Sequence, residues 1–416
     1  VSVESEAVLA PEAEAVPITS LPRRAWNNLR SGELGSAPIV FGIVAITIFF
    51  YVKSSTYVGA SNFNNLIVQM AGVTIIAYGV VFVLLLGEID LSIGSVSGVC
   101  AVFAAELQLA GSGHVLPGSD LVQGLLCIAV AIGAGAVIGA FQGSFVALIG
   151  VPSFVVTLAG LLAWQGVLFK ALPESVITIQ NSTINNVAGY YFSHKDGWII
   201  AGIVSLLYAV TAFGGVIGRR RAKIATGNLP LVILKVLAVT GIAFFVVYKS
   251  NTDPGRGLPL AGVLVVALLV FWTFIAKRTT FGRHIYAVGG NAEAARRAGI
   301  NVARIRIIVF AISGAMAALG GIVFAARVNG VNLSSGGGDT LLNAISAAVI
   351  GGTSLFGGRG YVRSALLGGL IIAMISNGID LVGYSPATKL ITTGVILLLA
   401  VTLDTISRRR LEASGR

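Results

Sequence analysis

The chain has 416 residues, 56% of them hydrophobic and only 11% charged, with a mean hydropathy of +0.90, whereas soluble domains carry about 25% charged residues. That balance excludes a soluble globular enzyme and marks a polytopic membrane protein. The net charge of +11 fits membrane topology and anionic lipid; no stacking or groove-reading motif for nucleic acid accompanies it.

Residues 1–35 hold Glu4, Glu6, Glu12 and Glu14 among small residues and prolines, then Arg23, Arg24 and Arg30, with no apolar stretch of signal-peptide type. They read as a disordered cytoplasmic tail. Beyond them apolar runs fall at about 37–52, 65–86, 91–109, 121–147, 152–171, 197–218, 229–248, 258–276, 305–327, 341–351, 364–383 and 388–405. None alternates in polarity as a barrel strand would, and in lipid the backbone amides of such runs are satisfied only by helices. The fold expected is all-α, with about 12 transmembrane helices over 36–406, run 341–351 being too short to cross unaided. Residues 407–416 then form a second tail. With both termini cytoplasmic, most of the 28 basic residues fall on the inner side, as the positive-inside rule requires.

The stretch "GEIDLS" (87–92) sets Glu88 and Asp90 between two apolar runs. Asp90 can cap the helix that follows, with Ser92 adding polar contacts. As an inner turn it would be unusual in holding acids and no Lys or Arg. A deeper break, in a discontinuous helix facing the solute path, is the other reading, with Glu88 meeting the solute or pairing across a dimer. Further along, Cys100 and Cys127 lack metal or redox spacing and read as packing residues, and His114, His194 and His284 stand apart. Gly135, Gly139 and Gly143 form a small-residue stripe that suits helix packing. "SSGGGDT" (334–340) lies outside on this topology, and no G-x-x-x-x-G-K-[ST] occurs, so the chain has no P-loop.

Residues 277–304, extended to Arg306, carry seven Lys or Arg against one acid, Glu293. Asn291 is a good N-cap for "AEAARRA", and Gly299 is a good stop. One short surface helix is expected, with Ala292, Ala294, Ala295 and Ala298 offering a small surface suited to docking into another protein's groove.

The chain resembles the membrane permeases of sugar ABC importers, the ribose, galactose and xylose branch. The residues that carry this are "GEIDLSIGS" (87–95), "PSFVVTLAGLLAWQG" (152–166), "YAVGGNAEAARRAGI" (286–300), "GGTSLFGGRG" (351–360) and "NGIDLVGYSP" (377–386). The resemblance implies a non-enzymatic subunit of a bacterial inner membrane, paired as a homodimer and coupled through Gly289, Gly290, Asn291, Glu293, Ala294, Ala295, Gly299 and Ile300 to a separate ATPase. That partner would hold ATP and magnesium; this chain would bind no cofactor. A periplasmic or lipid-anchored sugar-binding protein would deliver the solute. Glu88, where ribose-type relatives have glycine, and the extra pair of spans at 197–218 and 229–248 look more like the xylose-type permeases, implying a pentose such as xylose.

A sugar path needs hydrogen-bonding groups in an apolar bundle. The candidates are Glu88, Asp90, Ser92, Ser153, Phe154, Thr157, Trp164, Gln165 and Asn377, with Asn65, Gln69, Gln142 and Ser144 as further polar groups. An ion-coupled secondary transporter with Glu88 and Asp90 as its ion site, or a permease for a nucleoside or branched-chain amino acid, are the alternatives. A passive channel lacks a ring motif.

Overall fold

A computed structural model describes residues 37–109, 119–172, 176–222 and 229–413. The expected N-terminal tail, His114 and part of the basic hinge after Arg221 lie outside the described residues. In chain order the helices are α1 (Ala37–Lys53), α2 (Ala60–Leu85), α3 (Ile93–Leu109), α4 (Asp120–Ser144), α5 (Ser153–Ala171), α6 (Ser182–Gly189), α7 (His194–Arg221) and α8 (Leu229–Asn251). Then come α9 (Leu260–Arg278), α10 (Thr280–Gly290), α11 (Ala292–Arg297), α12 (Val302–Val328), α13 (Gly338–Ile350), α14 (Val362–Val382) and α15 (Pro386–Ala413). Two short strands, β1 (Val176–Thr178) and β2 (Gly330–Asn332), pair antiparallel with Ile177 opposite Val331.

Eight of the described helices are long and apolar enough to cross a membrane, α2, α4 with its π-helical extension, α5, α7, α8, α9, α12 and α14, and four more apolar helices are shorter. The eight plus four coincide with the twelve apolar runs of the sequence. Helix α15 runs on to Ala413, into the stretch expected as a tail.

The chain divides into two units. In one, Phe192–Gly257, helices α7 and α8 pack against each other. Ser193 caps α7 by accepting from the Asp196 amide. Few residues of either helix are buried, and Ile203, Leu206, Leu237 and Phe245 are all exposed, as expected of lipid-facing spans.

The other unit, 35–191 with 258–416, is built around α2 and α12. Here 83% of the most apolar window of α2 is buried, and 67% of that of α12, so both are interior helices. They run antiparallel: a Cβ on Gly79 would fall 2.9 Å from the Ser313 Cα, and one on Gly320 would fall 2.8 Å from the Gly72 carbonyl oxygen. Helix α4 meets α12 through the stripe read from the sequence. A Cβ on Gly135 would come within 2.3 Å of the Gly314 oxygen, and one on Gly139 within 2.0 Å of the Phe310 oxygen. Glycine here permits backbone contact, the close approach that holds apolar helices together where lipid offers no hydrophobic driving force. Cys100 and Cys127 are buried and unpaired in this packing.

Two connections enter the bundle. Helix α2 ends at Gly87 (φ +75°), with Gly87 and Glu88 amides bonded to the Leu84 and Val83 carbonyls, the glycine-terminated motif that closes many helices. The chain then turns back inward, and α3 begins at Ile93, beside the middle of α12: a Cβ on Gly321 would meet the Ser97 oxygen at 2.2 Å. From the far end of α12, the chain likewise returns after β2. Ser335 and Gly336 reach the first turns of α3, where a Cβ on Gly98 would lie 2.3 Å from the Ser335 oxygen. The stretch 334–337 therefore packs against the first turns of α3. Packing explains this: Gly336 (φ +71°) lies so close to α3 that a Cβ would fall 2.1 Å from the Gly94 oxygen. Helix α13 then starts inside the unit and, at 13 residues, is about 20 Å long, well short of the roughly 30 Å hydrocarbon core. The two halves, α2 to α3 and α12 to α13, thus repeat one motif in opposite directions, the inverted arrangement that builds many solute paths.

Candidate functional site

Residues 86–92 leave helical geometry inside a packed bundle, so their backbone polar groups need partners. Helix α5 supplies two. Ile89 donates its amide to Ser153 Oγ at 3.2 Å, and its carbonyl accepts from Thr157 Oγ1 at 3.3 Å. Asp90 is buried and serves as an acceptor: Oδ1 takes the Ser92 amide (3.0 Å) and hydroxyl (2.7 Å), and Oδ2 takes the Ser313 hydroxyl (2.9 Å). It stands two residues before Ser92, whose carbonyl accepts from Val96, so Asp90 closes a turn ahead of α3 rather than capping it directly. Ser313 is the twelfth residue of α12, about 17 Å along that helix. The descent from Gly87 to Ser92 therefore carries Asp90 into the bundle, while Gly87 and Ile89 stay exposed.

Gln142 of α4 extends the cluster. Its Oε1 lies 2.8 Å from Ser92 Oγ, while Nε2 has no partner. One hydroxyl proton cannot serve both Asp90 and Gln142. With the Gln142 amide turned over, an assignment that such contacts decide, Nε2 donates to Ser92 and Ser92 donates to Asp90. Ser92 then links Gln142 to Asp90 in one donor chain, and Oε1 takes the position that has no partner.

Glu88 faces the opposite way, toward the basic end. Arg306 Nε approaches its Oε1 at 3.0 Å, within ion-pair distance although off the line of a hydrogen bond. The side chains are 14% and 27% exposed, so water screens the pair less than a surface bridge. This intrachain cation answers why the turn holds acids without a local Lys or Arg; within this chain Glu88 meets Arg306, not the solute-facing position of the deeper-break reading.

At the same end, the 280–300 segment docks on the break. Where one short helix was expected, there are two, α10 and α11, meeting at Asn291. Gly289 touches the end of α2: a Cβ there would lie 1.8 Å from the Leu85 oxygen, which also accepts from Gly358 at 2.9 Å. Tyr286 donates to the Gly360 carbonyl at 2.9 Å, and burial pushes its phenol up, aided by Tyr361. Asn291 caps α11 by accepting from the Ala294 amide at 2.9 Å. Gly299 (φ +83°) and Ile300 close the helix by bonding to the Arg296 and Ala295 carbonyls, again the glycine-terminated motif. Glu293 pairs with Arg296 and Arg297, both exposed. Ala295 is buried inward, whereas Ala294, Ala298 and Gly299 are exposed and Gly290 has open space. Beside them is a groove of about 320 Å³ lined by Arg296, Gly299, Asn301, Arg306 and Ala147 among others.

The remaining candidates separate. Phe154 is exposed on α5, and Trp164 is half-buried against the core. Gln165 opens into a cavity beside α3. Asn377 lies apart, in a reciprocal amide pair with Asn62 at 2.8 and 2.9 Å. Sequence reading did not find Ser313, Gln142's part in the cluster, or Arg306 as the partner of Glu88. Each is far along the chain: the antiparallel crossing of α2 and α12 brings Ser313 and Arg306 near, and the packing of α4 on α12 brings Gln142.

An apolar multi-helix unit with inverted broken helices and a short helix at its basic end has the build of a membrane permease. The particular family follows from comparison: residues 62–401 match the model of the branched-chain amino acid transport system / permease component, and the chain belongs to that family. It is 36% identical over 386 residues to the xylose transport system permease protein XylH of Escherichia coli (strain K12), covering 92% of this chain and 95% of that one. It is 34% identical to XylH of Haemophilus influenzae over 92% of this chain and all of the relative. It is also 31% identical to the ribose import permease protein RbsC of Escherichia coli (strain K12), over 87% of this chain and 92% of that one. No solved structure matches the chain.

Proposed function

We infer that this chain is the membrane-spanning subunit of an ATP-driven monosaccharide importer of a bacterial inner membrane, carrying a pentose such as xylose. The end-to-end similarity to XylH carries this reading. Two copies line the path; a separate ATPase, holding ATP and magnesium, docks on the exposed Gly290, Asn291, Glu293, Ala294 and Gly299, with Gly289, Ala295 and Ile300 seating that segment from behind; and a sugar-binding protein delivers solute to the opposite face. The chain crosses the membrane with both termini cytoplasmic and contributes the path but no catalytic group.

The geometry suggests how docking reaches the path. Movement of α10 and α11 is passed to the end of α2 through the Gly289 contact and to the 86–92 break through Arg306 and Glu88. The break in turn holds α3 through Asp90, Ser92, Ser153 and Thr157. These four are read as positioning residues, because their hydrogen-bonding capacity is turned inward.

Ala294→Trp tests the docking face without straining the backbone, since Ala294 is exposed. The variant is expected to stay folded and monodisperse in detergent yet lose co-purification with the ATPase. Retained assembly at wild-type yield contradicts the placement.

A further inference from the structure

Ser95 and Gln165 do not take part in the Asp90 cluster. Both line a cavity of about 100 Å³, together with Gly94, Ser335, Gly336 and Gly337 and four leucines. The first turn of α3 and the residues that lead into α13 meet there, so two helix N-termini converge on one space. First-turn amides have no acceptor within their own helix, and the aligned peptide dipoles favour an oxygen ligand at that end.

The side chains point the same way independently. Ser95 is 7% exposed, and its hydroxyl makes no hydrogen bond with any described residue. Its neighbours Ser92 and Ser97 are both engaged, with Asp90 and with the Gly94 carbonyl. Gln165 has no hydrogen-bond partner among the described residues either, and is exposed at the edge of the cavity. The Ser95 hydroxyl, unlike those of Ser92 and Ser97, is thus left free to meet a ligand in the cavity.

Resting on the sugar-importer reading, we propose that this cavity is a hydroxyl-binding station on the solute path, taking a neutral monosaccharide. Ser95 Oγ and the Gln165 amide each offer both a donor and an acceptor, as vicinal sugar hydroxyls require. Four leucines face the ring's C–H surface. No ionisable side chain lines the space, so an amino acid's ammonium group finds no counter-charge. At its present volume the cavity is smaller than a monosaccharide ring. Occupancy therefore requires the 333–337 stretch to draw back from α3, which the glycine contacts between Gly336 and Gly94 permit without uncoupling large side chains.

The test uses the full transporter, this chain with its ATPase and binding protein, in proteoliposomes. Ser95→Val and Gln165→Leu are each expected to lower the maximal rate of xylose uptake at least ten-fold, with assembly of the transporter unchanged. Because either variant could disturb packing, Gln165→Cys in a background lacking Cys100 and Cys127 gives a second readout: xylose should slow its labelling by a small methanethiosulfonate three-fold or more. Labelling at the exposed control Leu162→Cys should not change. Wild-type uptake in both variants, together with labelling that xylose does not alter, overturns the station while leaving the importer reading in place. Protection by leucine instead of xylose overturns the ligand class. If the wild-type transporter moves no pentose, the importer reading and the station both fall.

Discussion

Glu88 and Asp90 are two residues apart yet do different work, and the difference is a matter of partners. Asp90 takes three donors in a buried setting, so Asp90→Ala orphans the Ser92 amide and two hydroxyls at once. A loss of about 1–3 kcal/mol for each such group predicts a large fall in thermal stability in detergent. Asp90→Asn, which keeps one acceptor oxygen and lets the serine hydroxyls rotate, is expected to fall much less. Equal effects would show that Asp90 is not the anchor of the break. Glu88 and Arg306 form a partly exposed pair, whose coupling in a double-mutant cycle of Glu88→Gln and Arg306→Gln should be about 1 kcal/mol. Additive losses would mean that the two side chains do not interact.

At the scale of elements, the packing of α4 on α12 turns on which face of α4 is glycine. Gly135 and Gly139 touch the α12 backbone, whereas Gly133, on the same helix, has open space around it. Gly139→Leu should therefore prevent stable folding, since overpacking costs about 1–3 kcal/mol even where neighbours can move and here the obstacle is backbone. Gly133→Leu should purify like the wild type. Thermal melts of the two proteins check this directly, and equal tolerance would contradict the helix contact. The terminators of α2 and α11 show the same logic at single positions. Gly87 and Gly299 adopt positive φ, a conformation that costs other residues roughly 1 kcal/mol or more, so each fixes where its helix ends.

For the molecule as a whole, hydropathy made the apolar helices legible in sequence, because a long run without charge has few other fates. The caps at Asn291 and Gly299 were legible too, since a cap is a local pattern. What escaped was non-local. The descent of 333–337 into the unit depends on Gly336 finding Gly94, whereas α10 does carry a local start signal, Thr279, which caps it by accepting from the Gly282 amide. The polar candidates divided for the same reason: 87–92 was legible as a break between helices, but nothing local in the sequence paired Ile89 with Ser153 and Thr157.

On the proposed function, this permease moves a monosaccharide by coupling ATP hydrolysis on a docked subunit to opening at the broken helices. Reconstitution of the chain with its ATPase and sugar-binding protein measures that most directly. Concentrative xylose uptake is expected to require all three components and ATP, and to collapse with Ala294→Trp. Uptake driven by a proton or sodium gradient with this chain alone would contradict it, and would return Asp90 to the role of an ion site.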